Sequence, residues 1–146
     1  DIMRMESGFL HWGHDISPEE NQYEAGLDFA ISYKKDGGFI GKGALLNIKD
    51  KKLTKRFAMF SLKKSELGYP LLLHDEPIYL ENEIIGRSTS GNYSFNYKKN
   101  LSFGYINTQF SNDQLVNKNL FIEVEKEKYP LNIELKPLKG KKIRLT

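Results

Sequence analysis

Apolar and polar positions follow one rhythm before residue 53 and another after it, and the two parts predict different architectures. In the first part Ile2, Met5, Phe9 and Leu10 recur at three- to four-residue spacing, which predicts a helix over residues 1–10 that Gly8 and Gly13 bring to a stop. A helix already under way at the first residue reads as the end of a larger domain. Ser17-Pro18-Glu19-Glu20 then carries a helix-start signature, with Ser as N-cap, Pro in first position and acids in the first turn. LDFAISY (27–33) is strand-like and runs into the turn signal KKDGG, and KGALLNIKD (42–50) predicts a short helix.

The second part alternates. In KRFAMFSLK (55–63), Phe57, Met59 and Ser61 lie opposite Ala58, Phe60 and Leu62. EPIYLENEIIGRSTSG (76–91) predicts a hairpin turning near Glu81-Asn82. NYSFNY (92–97) and LSFGYINTQF (101–110) predict two more strands, joined by a polar KKN loop. NLFIEVEKEKYPLNIELKP (119–137) is the clearest hairpin. Five or six short strands with little helix between them predict an antiparallel sheet closed into a small barrel or sandwich, with a boundary near residues 47–53.

Composition changes this picture little. With 39% hydrophobic and 28% charged residues, the chain is an ordinary globular one, and no repeat or low-complexity segment is visible. The longest uncharged apolar run, Tyr69–Leu73, is far short of the roughly 20 residues a membrane helix needs. Zero cysteines exclude disulfides, thiolate metal sites and a cysteine nucleophile, which suits a reducing compartment. The net charge of +3 gathers in KDKKLTKR (49–56) and KPLKGKKIR (136–144), which read as solvated loops.

The candidate chemistry is sparse. No nucleophile elbow, phosphate loop or dinucleotide fingerprint is present, and GGFIGKGA (37–44) reads as a tight turn entering a helix. His11 and His14 would share a helical face, but without a third ligand they make a poor zinc site and read as structural. Among the acids only Glu24 has apolar neighbours on both sides. Arg4, between Met3 and Met5, has the residue type for fork-like recognition of a carboxylate or a heteroatom edge, and Trp12 for stacking on a flat ring. Equally, Arg4 could pair internally with Glu6 or Glu24, and Trp12 could plug the core.

MRMESGFLHWGHDI (3–16), followed by YEAGLDFAI and FIGKGAL, resembles the glycine-cleavage T-protein (aminomethyltransferase) family. FLHWGHD looks closest to its dimethylglycine and sarcosine dehydrogenase branch, and EPIYLENEIIGRSTSGNYSFNYKKNLSFGYI (76–106) resembles the family's C-terminal barrel. The resemblance implies a mainly β fold: an antiparallel Greek-key β-barrel over 51–146, preceded by an α+β remnant of the folate-binding domain over 1–50. It implies folate contacts from Arg4, Trp12, Glu24, Ser90 and Tyr93, with Glu24 mainly structural. The cofactor it implies is tetrahydrofolate, with FAD only in an N-terminal domain of a longer parent, and the substrate a methylated amine. The catalytic aspartate would lie upstream, so these 146 residues alone should be inactive. The closing KKIRLT lacks the family's tyrosine pair.

Location would be cytoplasmic in a bacterium or the mitochondrial matrix in a eukaryote, with no membrane or nucleic-acid partner. Met5, Phe9, Trp12 and Phe29 are expected to be exposed or buried in a dimer. The rival reading is a non-catalytic module binding RNA or protein, for which Tyr93, Phe95 and Tyr97 before Lys98-Lys99 would supply a stacking face. As an inward-facing barrel row they would not.

Overall fold

The computed structural model describes residues 1–107 and 109–139; the end of the second basic run and the terminal KKIRLT lie outside them. In chain order the elements are α1 (Ile2–Glu6), a 3-10 turn (Asp28–Ala30), α2 (Lys42–Lys49), β1 (Lys55–Leu62), β2 (Pro77–Leu80), β3 (Glu83–Ser94), β4 (Lys99–Asn107), α3 (Asn112–Leu115), β5 (Leu120–Val124) and β6 (Glu127–Glu134). The six antiparallel strands close into a barrel in the order β1-β4-β3-β2-β5-β6, with β6 returning to β1. Successive hairpins join β2, β3 and β4, and β5 comes back beside β2, which is a Greek key. The fold is mainly β, preceded by a mixed segment of short helices, turns and one isolated bridge between Trp12 and Ile16.

Alternation decides which side chains fill the barrel. Ala58, Phe60 and Leu62 of β1 join Ile78, Ile85, Ile106, Ile122 and Ile133 in one buried cluster. The opposite face of β1 is apolar too, because a second layer covers it. Phe57 and Met59 pack with Leu101, Phe103, Leu138 and Met5 of α1, and the Phe57 and Phe103 rings meet edge to face at 5.2 Å. Met5, at 1% exposure, is therefore a core residue and not part of an exposed face, although Phe9, Trp12 and Phe29 are exposed. Burying a methionine of this kind contributes about 1.5–3 kcal/mol.

Three expected elements differ. At Ser17 the atoms of a cap are in place: Glu20 Oε2 accepts from the Ser17 amide at 2.8 Å and from its hydroxyl at 2.7 Å. No helix follows there: the Glu20 amide closes one tight turn on the Ser17 carbonyl, and the other Glu20 oxygen pairs with Lys55 on β1. A single helical turn forms instead one step on. Asn21 Oδ1 accepts from the Tyr23 and Glu24 amides, Glu24 accepts from the Asn21 amide, and Gly26 at φ +68° ends the turn. Residues 27–33 hold the 3-10 turn and no strand; a closed barrel offers no free edge for another strand to pair with. Finally, NYSFNY is not a separate strand. β3 runs through to Ser94, and Lys98 at φ +50° turns the chain into β4.

Candidate functional site

Asp15 anchors the N-terminal segment to the barrel. Its side chain is 0% exposed. Oδ2 accepts from Arg4 Nη1 at 2.5 Å and from the His11 amide at 2.9 Å. Oδ1 accepts from Thr89 Oγ1 at 2.6 Å and from Ser90 Oγ at 2.7 Å. Neighbouring residues of a regular strand face opposite ways, so Thr89 and Ser90 should not reach one oxygen. They do so because β3 bulges here: Ser88 pairs with Gly104 and Ser90 with Phe103, leaving Thr89 as the extra residue.

Arg4 is spent in the same knot. Nε donates to Asp1 at 2.5 Å, Nη1 to the Phe9 carbonyl at 3.1 Å as well as to Asp15, and Nη2 to Ser90 Oγ at 2.9 Å. A guanidinium has five N–H donors, so one, on Nη2, is left. The group also lies 5.8 Å from the centroid of the Phe103 ring. Its partners are thus Asp15 and Asp1, not Glu6 or Glu24. Glu6 is buried on Ser94 and Asn96, and Glu24 on Thr54 and Asn21.

Beside this knot a cleft of about 230 Å³ opens between α1, the turn after it, the loop before β2 and the bulge of β3. Arg4, Asp1 and Ser90 line it, and so do His11, His14 and His74. His11 and His14 are not on a helical face; their rings stack at 4.7 Å, 12° from parallel. Among the described residues no group of three or more His, Cys, Asp or Glu is placed to hold a metal. Next along the chain from His74, Asp75 accepts from His74 and from Arg87, which together hold its carboxyl below the usual aspartate range.

The five residues implied for folate are thus dispersed in role. Arg4 and Ser90 share the knot, and Trp12 lies 65% exposed in the adjoining turn, not in the core. Glu24 is 7% exposed and braces the turn before α2, its carbonyl also accepting from the Phe57 amide at 2.8 Å. Tyr93, half-buried near the end of β3, meets Phe95 edge to face at 5.2 Å. The Tyr93–Phe95–Tyr97 run is neither an inward row nor one exposed face: Phe95 is 70% exposed, whereas Tyr97 packs on the outer core.

Two residues were missed. Asp15 stands in HWGHDI as one acid among many, and only the bulge of a strand some 75 positions away makes it the hub. Tyr105 is 8% exposed, and its hydroxyl has no partner among the described residues. Burial, then the carboxylates of Glu20, Asp15 and Glu24, push its ionisation well above the ordinary tyrosine range.

Comparison with known proteins places this geometry in a family. The glycine cleavage T-protein C-terminal barrel domain matches residues 55–139, and the chain belongs to that family. It is 32% identical to 4-methylaminobutanoate oxidase (formaldehyde-forming) of Paenarthrobacter nicotinovorans, over 99% of this chain and 17% of that protein. It is likewise 32% identical to mitochondrial dimethylglycine dehydrogenase of Rattus norvegicus, over 94% of this chain and 15% of that protein. An aminomethyltransferase of Listeria welshimeri is 33% identical over 76% of the chain and 30% of its own length. The chain is thus related to the dimethylglycine dehydrogenase branch, and spans under a fifth of the oxidase and the dehydrogenase. The crystal structure of the glycine cleavage system aminomethyltransferase T from Bartonella henselae superposes with a TM-score of 0.79 at 20% identity, covering 94% of this chain and 37% of that one, and shows the shared fold.

Proposed function

We propose that this chain is the C-terminal part of a folate-dependent one-carbon transfer enzyme of the dimethylglycine or sarcosine dehydrogenase type. The observation that carries the reading is Arg4, fixed by a buried carboxylate with one N–H left over, in a chain of the aminomethyltransferase family. Bound tetrahydrofolate would supply the amine nitrogens that accept a one-carbon unit released from a methylated amine. Arg4 and Trp12 have groups free for that ligand, a directed N–H and an exposed indole face. Ser90 and Glu24 have their polar atoms spent on internal hydrogen bonds, so their part is to hold the frame. Tyr93 would add a half-buried ring at the margin. FAD would belong to a separate N-terminal domain of the parent, and the acid–base carboxylate of the transfer to the upstream part of the folate domain. The protein's contribution from these residues is positioning.

The test uses the full-length parent, titrated calorimetrically with tetrahydrofolate. Arg4→Ala should weaken binding by about 1.5–3 kcal/mol, the scale of a charged hydrogen bond. Binding unchanged by the substitution would remove Arg4 from the site. A parent that does not bind the folate at all would favour a non-catalytic module of the same fold.

A further inference from the structure

The chain has three histidines, and the fold brings all three to one cleft from two separate segments, the turn after α1 and the loop before β2. We propose that this cleft is a binding site for a small oxyanion, a carboxylate or a phosphate, taken up when its imidazoles are protonated. The inference stands on the cleft itself; it shares one donor with the folate reading, the last Arg4 N–H, and the His11 and His14 variants below, which that reading does not use, tell the two apart.

Donors, not free acids, face the cleft. Every carboxylate around it is already committed. Asp15 is sealed behind Arg4, His11, Thr89 and Ser90. Asp1 is bound to Arg4 Nε, and Asp75 to Arg87 and His74. Glu76 accepts from the Leu73 amide at 2.8 Å and from Ser88. The uncommitted groups are donors or donors in waiting: the last Arg4 N–H, and the ring nitrogens of His11 and His14, which have no hydrogen-bond partner among the described residues. One ring nitrogen of His74 is spent on Asp75 and the other is not.

The stacking of His11 on His14 sharpens the point. Two imidazolium rings with centroids 4.7 Å apart repel, and an anion at their edge is what relieves that repulsion. Imidazole is also the side chain whose ordinary charge change falls in the physiological range. Anion uptake and histidine protonation are therefore linked, each favouring the other. The anion therefore binds more tightly as pH falls.

Inorganic phosphate and glutarate are the probes, each titrated into the 146-residue chain at constant ionic strength. The imidazole C–H resonances are followed by NMR at about pH 6 and about pH 8. Saturable shifts on all three histidines are expected, with affinity roughly ten-fold higher at the lower pH. Both probes carry more negative charge at the higher pH, so their own titration opposes that trend and cannot produce it. His14→Gln and His11→Gln, both at exposed positions, should each weaken binding several-fold while leaving the amide spectrum intact. Phosphate alone binding assigns the site to phosphate groups, and glutarate alone assigns it to carboxylates. No saturable shift with either probe, equal affinity at the two pH values, or variants that bind like the parent chain would each overturn the proposal.

Discussion

A carboxylate with no exposed surface is costly unless every lone pair is met, and Asp15 meets four donors. The guanidinium–carboxylate contact at 2.5 Å is the part that compensates its charge. Removing one partner is therefore worse than removing both. Arg4→Ala, which strands the buried charge, should destabilise the chain by about 3–5 kcal/mol in urea unfolding. The double variant Arg4→Ala/Asp15→Ala should be more stable than the sum of the single effects predicts, by roughly 0.5–3 kcal/mol. Strict additivity would mean that the two side chains contribute independently and that the knot is not a unit. For the folate measurement this matters, because loss of binding has to be read on folded protein.

At the scale of elements, β3 does the positioning. Its bulge at Thr89 turns two hydroxyls toward one carboxylate, and two residues later Gly91 lets the loop before β2 close over the strand. A Cβ added at Gly91 would lie 2.5 Å from the Leu72 carbonyl carbon and 2.6 Å from its oxygen. These are backbone atoms and cannot swing aside. Leu72 itself, at 2% exposure, belongs to the barrel core, so the loop is held from within. Gly91→Ala should cost about 1–3 kcal/mol by overpacking. It should also speed amide exchange at Leu73, whose N–H is held by Glu76, and at Asp75, whose N–H is held by Ser88. Wild-type exchange rates at those amides would show that the loop relaxes around the new methyl group.

Across the whole molecule, the contacts that fasten the N-terminal segment to the barrel include the Met5 cluster, the Asp15 knot, Glu6 on Ser94 and the Lys55–Glu20 ion pair. The last has a pH signature. Burial works to raise the Glu20 ionisation, but Lys55 and the Ser17 hydroxyl and amide outweigh it, so the carboxyl ionises below the ordinary glutamate range. A carboxyl depressed in the folded state leaves the unfolded chain binding more protons over that window, so stability rises with pH there. The contribution is complete above the ordinary glutamate range and is lost as pH falls through the folded value. Glu20→Gln should accordingly flatten the acid limb of a stability–pH curve while changing its slope little at neutral pH. An acid limb identical to that of the parent chain would show that the pair does not couple segment to barrel.

What the sequence determined by itself is whatever depends on neighbours along the chain. The alternation of 55–63, the hairpin at 81–82, the hairpin of 119–137 and the short helix after Gly41 are all local patterns, and all are present. Arg4 was legible as an arginine in need of a partner. Its partner was not, because Asp15 becomes a hub only through a bulge far along the chain. At Ser17 the local cap contacts formed, with Glu20 Oε2 on the Ser17 amide and hydroxyl, but the chain closes only a tight turn there and the second Glu20 oxygen ties it to Lys55 on β1. The strand expected at 27–33 had the right residues but no sheet edge to join. Three scattered histidines became one cleft only when the barrel closed. Local propensity acts over a few residues, whereas pairing, burial and charge compensation act between segments that only the closed barrel brings within reach.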